Sequence, residues 1–257
     1  MTEGASSPRP YVLERALALA DDREARGCAD EAALLYRQVL DAEPQETRAA
    51  DGLAATAPGR SLPRRLVAPY ARRAVEELAQ RPRIWKYRVL STCPRLRGRP
   101  RILQPVLFVG PGEVVLGQDV QFGWRASPLF YTGYCHVEAA GPSSRIEIGD
   151  RTEFNNNLML KSEGPGISVG RDGMFGAHVE IFDSNFHDLD PARRVGGTPR
   201  MAPVRVEDNV FVGMSVKILK GVTIGRDSVI GAGAVVTRDI PAGVIAGGNP
   251  AKVIAEL

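Results

Sequence analysis

The stretch VEDNVFVGMSVKILKGVTIGRDSVIGAGAVV, residues 206–236, decides the fold. Val206, Val212, Ile218, Ile224, Ile230 and Val236 recur at every sixth position. Gly213, Gly225 and Gly231 each follow one of them, while Val210, Val216, Val222, Ser228 and Ala234 sit four places after. That period fits neither a helix of about 3.6 residues per turn nor a plain two-residue alternation. It calls for a short strand and a turn in every unit. The aliphatic residue points inward, the glycine permits the turn and the small residue fits the corner. Stacked units then bury a continuous ladder of aliphatic side chains, which is the physical reason for the repeat.

Working outward, the motif returns as LGQDVQ from Leu116, IGDRTE from Ile148 and VGRDGMFGAHVEI from Val169. These stretches are out of phase with one another, so loops or bulges separate them. Residues 102–257 are therefore expected to form one repeat-built β domain, and residues 1–101 an α-helical N-terminal region. In that region YVLERALALADDREARG has good helix formers and an apolar face, and stops at Gly27. ADEAALLYRQVLDAEP reads as a second helix, with Asp30 as N-cap and Pro44 beyond its end. Gly27, Ala32, Tyr36, Leu40 and Pro44 match a tetratricopeptide-type pattern, and Ala16 and Val39 depart from it. A single helical hairpin for packing or partner contact is expected. QETRAADGLAATAPG begins a further unit that fails at Pro58 and Gly59, and one or two more helices follow, interrupted near Pro69 and Pro82.

The chain has 257 residues and a net charge of +3. It carries no long apolar run and no signal-peptide pattern, so no transmembrane segment and a cytoplasmic protein are expected. Cys28, Cys93 and Cys135 are scattered without metal-type spacing and read as reduced thiols. The segment from Arg60 to Arg101 is rich in arginine, with Glu76 and Glu77 as its only acids. It lacks the aromatic interleaving of a nucleic-acid platform. It reads as a solvated basic helix, or as a face for anionic lipid, an acidic protein or cofactor phosphates.

Between two regular runs the repeat stops, at DSNFHDLDPARR, residues 183–194. The chain has three histidines. His178 falls at an outward turn position of the hexad FGAHVE, and His136 lies in the irregular segment YTGYCHVEAA. His187 lies on a loop that leaves a rigid scaffold, where reactive residues are concentrated. Arg193 and Arg194 beside it suit an anionic acceptor or are solvated loop charges.

The stretch VFVGMSVKILKGVTIGRDSVIGAGAVVTRDIPAGVIAGGNPAKVI, residues 210–254, resembles the hexapeptide-repeat acyltransferases. Within them it is similar to the maltose and galactoside O-acetyltransferases and to their relatives in surface-polysaccharide synthesis. The resemblance covers roughly 102–257 and is strongest from 146 onward. It implies a left-handed parallel β-helix, a homotrimer with active sites in the clefts between subunits, and acetyl transfer from acetyl-CoA to a carbohydrate hydroxyl. By the same resemblance His187 is the general base, and Asp183 orients the imidazole or contacts the acceptor. An acceptor-lining asparagine falls in EFNNNL, where alignment favours Asn155 and leaves Asn156 and Asn157 open. The pantetheine arm of the cofactor would run past the backbone near Met214 and Ala232, with Thr237, Arg238 and Lys252 towards the nucleotide. Phe211 stands where most such enzymes have tryptophan. It can still wall the cleft but lacks the indole N–H.

Acyl transfer needs a base for the attacking hydroxyl, stabilisation of the thioester oxyanion, and alignment of donor and acceptor. Histidine suits the first task because its pKa lies near working pH. An amino-sugar acceptor and a non-enzymatic trimeric scaffold are the alternatives. A third, a zinc-type hydrolyase of the same fold, needs two closely spaced histidines, whereas His178 and His187 are nine apart. No metal is expected.

Overall fold

The computed structural model describes residues 9–56 and 68–257. The chain forms two compact units, Met1–Arg72 and Arg73–Leu257. In the first unit α1 (Arg9–Ala25), α2 (Ala29–Ala42) and α3 (Thr47–Thr56) pack in sequence. Gly27, at φ +75°, makes the turn between the first two. Leu17, Ala20, Ala32, Tyr36, Val39 and Ala49 form the core. Gly52 admits the Tyr36 ring, since a Cβ there would lie 2.3 Å from it. The Tyr36 hydroxyl lies 2.6 Å from Asp21 and 2.9 Å from Glu24, and Arg48 pairs with Asp21. Burial, helped by those two carboxylates, pushes the phenol's pKa well up.

Asp30 is not the N-cap of α2. Cys28 holds that position without a side-chain cap bond, and Asp30 falls in the first turn, where its charge favours the helix dipole. Pro58 and Gly59, together with Arg60–Arg65, lie outside the described residues.

Helix α4 (Ala68–Leu90), which belongs to the second unit from Arg73 onward, is continuous through Pro82, where an interruption was expected. Pro82 removes one backbone bond, but side chains on either side of it anchor the helix. Gln80, buried, donates to the Phe130 carbonyl at 2.5 Å, and Arg83 donates to the Gly133 carbonyl at 2.5 Å. Pro69 sits in the first turn, where proline has no helix bond to lose. These anchors tie α4 to the 123–134 segment of the β unit. No described helix is long and apolar enough to cross a membrane.

From Arg95 to Val236 the chain winds through three parallel sheets in strict rotation, the arrangement of a three-faced β-helix. The first face runs from Arg95–Arg97 to Thr223–Ile224, the second from Arg101–Ile102 to Val244–Gly247, and the third from Val106–Val109 to Val235–Val236. A last strand, Lys252–Glu256, closes the second face antiparallel. Val206, Val212, Ile218, Ile224, Ile230 and Val236 are all essentially inaccessible to solvent. Each such burial contributes about 1.5–3 kcal/mol. Earlier coils fill the second face with stacked rings, Phe122 to Phe154 at 5.3 Å and Phe154 to Phe175 at 4.7 Å.

The repeat glycines act differently from the expected turn-formers. A Cβ on Gly213 would lie 2.6 Å from the Ala232 nitrogen, and one on Gly225 would lie 2.4 Å from that of Ala242. These glycines let successive coils approach. The left-handed corner residues are others, among them Asn209, Ser215 and Asp227.

Candidate active site

Two segments leave the coil, at different edges. Residues 123–134 run between the second and third faces, and residues 183–203 between the third and first. The second excursion is tied at its root. The Ala202 N–H donates to the Asp183 carbonyl at 2.9 Å, and the Asn185 N–H to that of Arg200 at 3.1 Å. Asp190 caps a single helical turn, Pro191–Arg193. His187 is exposed at the loop surface, with Nδ1 3.3 Å from the Arg194 carbonyl. A proton on Nδ1 makes that a hydrogen bond and leaves the Nε2 lone pair as the base.

Asp183 does not contact the imidazole. Its carboxylate is fully buried and accepts from the Ser162 hydroxyl (2.7 Å) and from the N–H groups of Glu163 (2.8 Å), Gly164 (3.2 Å) and Gly166 (2.9 Å). It gathers the donors of the neighbouring corner, because a carboxylate only accepts. Arg193 pairs with Asp188 (3.5 Å) and Asp190 (3.3 Å) within the loop. Arg194 is exposed and supplies the carbonyl opposite His187.

The three asparagines divide between two tasks. Asn156 is fully buried. Its Oδ1 accepts from the Trp124 N–H at 2.9 Å, and its Nδ2 donates to the carbonyls of Trp124 (3.0 Å), Ser127 (3.2 Å) and Pro128 (2.9 Å). Asn157, at φ +61°, exchanges hydrogen bonds with the Gln104 amide. Neither lines the groove on the second face. Asn155 does face that groove. Its Nδ2 donates to the Ser127 hydroxyl at 2.8 Å. The groove encloses about 200 Å3 among Trp124, Glu153, Asn155, Met174, Gly176 and Phe211, with Phe154 and Phe175 at its floor. Trp124, Met174 and Phe211 are each about half exposed. Trp124 and Met174 were not singled out from the sequence. Trp124 sits in an irregular segment without repeat register, and nothing but the presence of an indole marked it.

Met214 and Ala232 lie exposed on the same edge as the groove, one coil apart, where the Gly233 N–H donates to the Met214 carbonyl at 2.8 Å. Thr237 and Arg238 follow the last third-face strand and lie exposed on the other edge, and exposed Lys252 opens the closing strand. One chain therefore does not gather the expected residues in one place. His187 and the groove are separated by the breadth of the third face.

The remaining histidines have structural settings. His178 is a left-handed corner at φ +59°. His136 lies on the third face, 3.1 Å from Glu138, which also meets Lys161 at 3.3 Å. Burial pushes the Glu138 carboxyl up, but His136 and Lys161 outweigh it and the net shift is down. Among the described residues no group of His, Cys, Asp or Glu is placed to hold a metal ion.

Residues 203–238 match a family model described as bacterial transferase hexapeptide (six repeats). The chain is 38% identical over 126 residues to a galactoside O-acetyltransferase of Lactococcus lactis, covering 49% of this chain and 56% of that one. It is 36% identical over 114 residues to the galactoside O-acetyltransferase of Escherichia coli, covering 44% and 55%. Over 58 residues it is 47% identical to a 2,3,4,5-tetrahydropyridine-2,6-dicarboxylate N-acetyltransferase of Staphylococcus aureus, covering 23% and 24%. The chain thus spans about half the length of the galactoside enzymes it matches. The resemblance to hexapeptide-repeat acyltransferases is found in the repeats that suggested it.

Proposed function

We propose that the protein is an acetyl-CoA-dependent O-acetyltransferase for a sugar hydroxyl, built as a trimer of left-handed β-helices. The observation that carries this reading is His187, exposed on an anchored loop with Nδ1 facing the Arg194 carbonyl. That contact favours the tautomer a general base needs. The similarity to two galactoside O-acetyltransferases supports the acceptor class.

In the proposed reaction Nε2 of His187 takes the acceptor hydroxyl proton as the oxygen attacks the thioester carbonyl. The C–O bond forms, the C–S bond breaks, and the imidazolium returns the proton to the departing CoA sulfur. A backbone N–H near Met214 would hold the transient oxyanion. Exposed Thr237, Arg238 and Lys252 suit the CoA phosphates by charge and hydrogen bonding.

Because His187 and the groove occupy different edges, a complete site takes the loop of one copy and the groove of its neighbour. Asp183, Asn156 and Asn157 serve this site as supports. The helical unit, with its tetratricopeptide-like spacing, acts as a partner-contact module. The similarity to an N-acetyltransferase favours a second reading, in which the acceptor is an amine.

Calorimetric titration with acetyl-CoA, followed by acetyl transfer to galactosides, maltose and glucosamine read by mass spectrometry, tests the reading. Saturable binding at one site per chain and an O-acetylated product are expected. An N-acetylated product selects the second reading, and absence of both binding and product defeats the proposal.

A further inference from the structure

The groove on the second face has a composition that selects its occupant. Its walls are Trp124 (49% exposed), Phe211 (45%) and Met174 (54%), and its polar side chains are Asn155 and Glu153. No lysine, arginine or histidine lines it. A cofactor phosphate would find no cation on this wall of the groove and would meet the Glu153 carboxylate. A neutral ring with an apolar C–H face and peripheral hydroxyls finds an aromatic wall, an amide and a carboxylate acceptor. At about 200 Å3 the groove holds one small ring, below the roughly 300–1,000 Å3 of ordinary ligand pockets.

The backbone of Trp124 is also held at both of its polar groups. Its N–H and its C=O are both bound by the buried Asn156 amide, which binds the Ser127 and Pro128 carbonyls as well. A buried amide whose hydrogen bonds all go to one loop fixes what that loop presents, and here it presents an indole beside Phe211.

We propose that Trp124 is the specificity-determining platform on which the acceptor sugar ring stacks, with Asn156 as its positioning residue. The indole that the resemblance expects at 211 is supplied from a different coil, and Phe211 completes the wall. The assignment rests on the acetyltransferase reading for the identity of the ligand, and on the groove for its location.

The chain has two tryptophans, Trp85 and Trp124. Trp85 is 68% exposed on α4, so W85F leaves Trp124 as the sole indole reporter without touching the groove. Emission of W85F is titrated with methyl galactoside, maltose and glucosamine, and separately with CoA. A saturable change with one of the sugars is expected, with none from CoA. In the full-length enzyme W124A raises the acceptor KM about tenfold, while kcat and the acetyl-CoA KM stay within about twofold. W124F recovers most of the loss. Emission that responds to CoA but to none of the sugars overturns the assignment, as does emission that responds to nothing. An unchanged acceptor KM in W124A overturns it too. A sugar-dependent emission change without acetyl transfer leaves Trp124 as a sugar platform and defeats the enzymatic reading instead.

Discussion

The excursion at 123–134 is held by the neutral amide of Asn156, whereas the excursion at 183–203 is rooted on the carboxylate residue Asp183. An amide donates and accepts, so Asn156 grips the N–H and C=O groups of the loop itself. A carboxylate only accepts, so Asp183 gathers three backbone N–H groups and a hydroxyl from the corner at 162–166. Its own loop is tied by backbone bonds at the root and by ion pairs further out. The first loop presents an indole from a backbone held at both its N–H and its C=O. The second presents an imidazole with one nitrogen steadied and the other turned outward. A polar residue beside a reactive one is thus often its scaffold.

Replacing each of these residues separates presenting groups from supporting ones. The largest effect is expected from His187→Ala, with turnover falling about 10³- to 10⁴-fold. Its melting temperature should match that of the unmodified protein, since the ring is exposed and makes one contact. Steady-state kinetics and calorimetry check both parts, and turnover within a few-fold of normal would defeat the base assignment. Asp183→Ala should cost about 3–5 kcal/mol of stability, because it leaves buried donors unpaired. If urea unfolding finds no loss but activity vanishes, Asp183 acts in chemistry after all. Asn156→Ala should cost somewhat less, about 2–4 kcal/mol. It should also shift Trp124 emission, which a change confined to the core would not do.

The smallest effect concerns the helical unit. Hydrogen bonds from Tyr36 and then Arg48 hold the Asp21 carboxyl below the usual carboxylate range. A depressed folded pKa stabilises above the unfolded value of about 3.9 and loses that contribution as pH falls through the lower folded value. Helix content of the 1–72 unit should therefore fall in that acidic window, and Asp21→Asn should remove the dependence. An unchanged acid transition in that variant would show that other carboxylates govern it.

The repeat was legible because burial enforces it. A coil that turns on a fixed period must place an aliphatic residue inward each time, and Val206 through Val236 do so. The role of Gly213 was not legible, since one sequence does not say whether a glycine serves a turn or a close approach between coils. The same limit hid the division among Asn155, Asn156 and Asn157. Adjacent positions at a corner point alternately inward and outward, and only the neighbouring coil determines which amide meets a loop and which meets solvent. Asp183 read as part of the reactive motif because it matches the acidic position of the motif that DSNFH resembles. Its partners at 162–166 belong to the preceding coil and carry no local signal. Trp124 was hidden for the opposite reason. Its segment has no repeat, so nothing in its spacing tied it to Phe211. Helix α4 passes through Pro82 where the flanking side chains of Gln80 and Arg83 reach carbonyls 50 residues away in sequence, contacts with no local signal.

The proposed site takes the loop of one copy and the groove of another. Co-expressing H187A chains with N155A/F211A chains under separate tags, and assaying the purified mixed assemblies, tests it most directly. Each parent alone should be nearly inactive. Every mixed cyclic trimer pairs an intact loop with an intact groove at about one of its three sites, so about one third of normal activity should return. Mixed assemblies no more active than their parents would contradict the account.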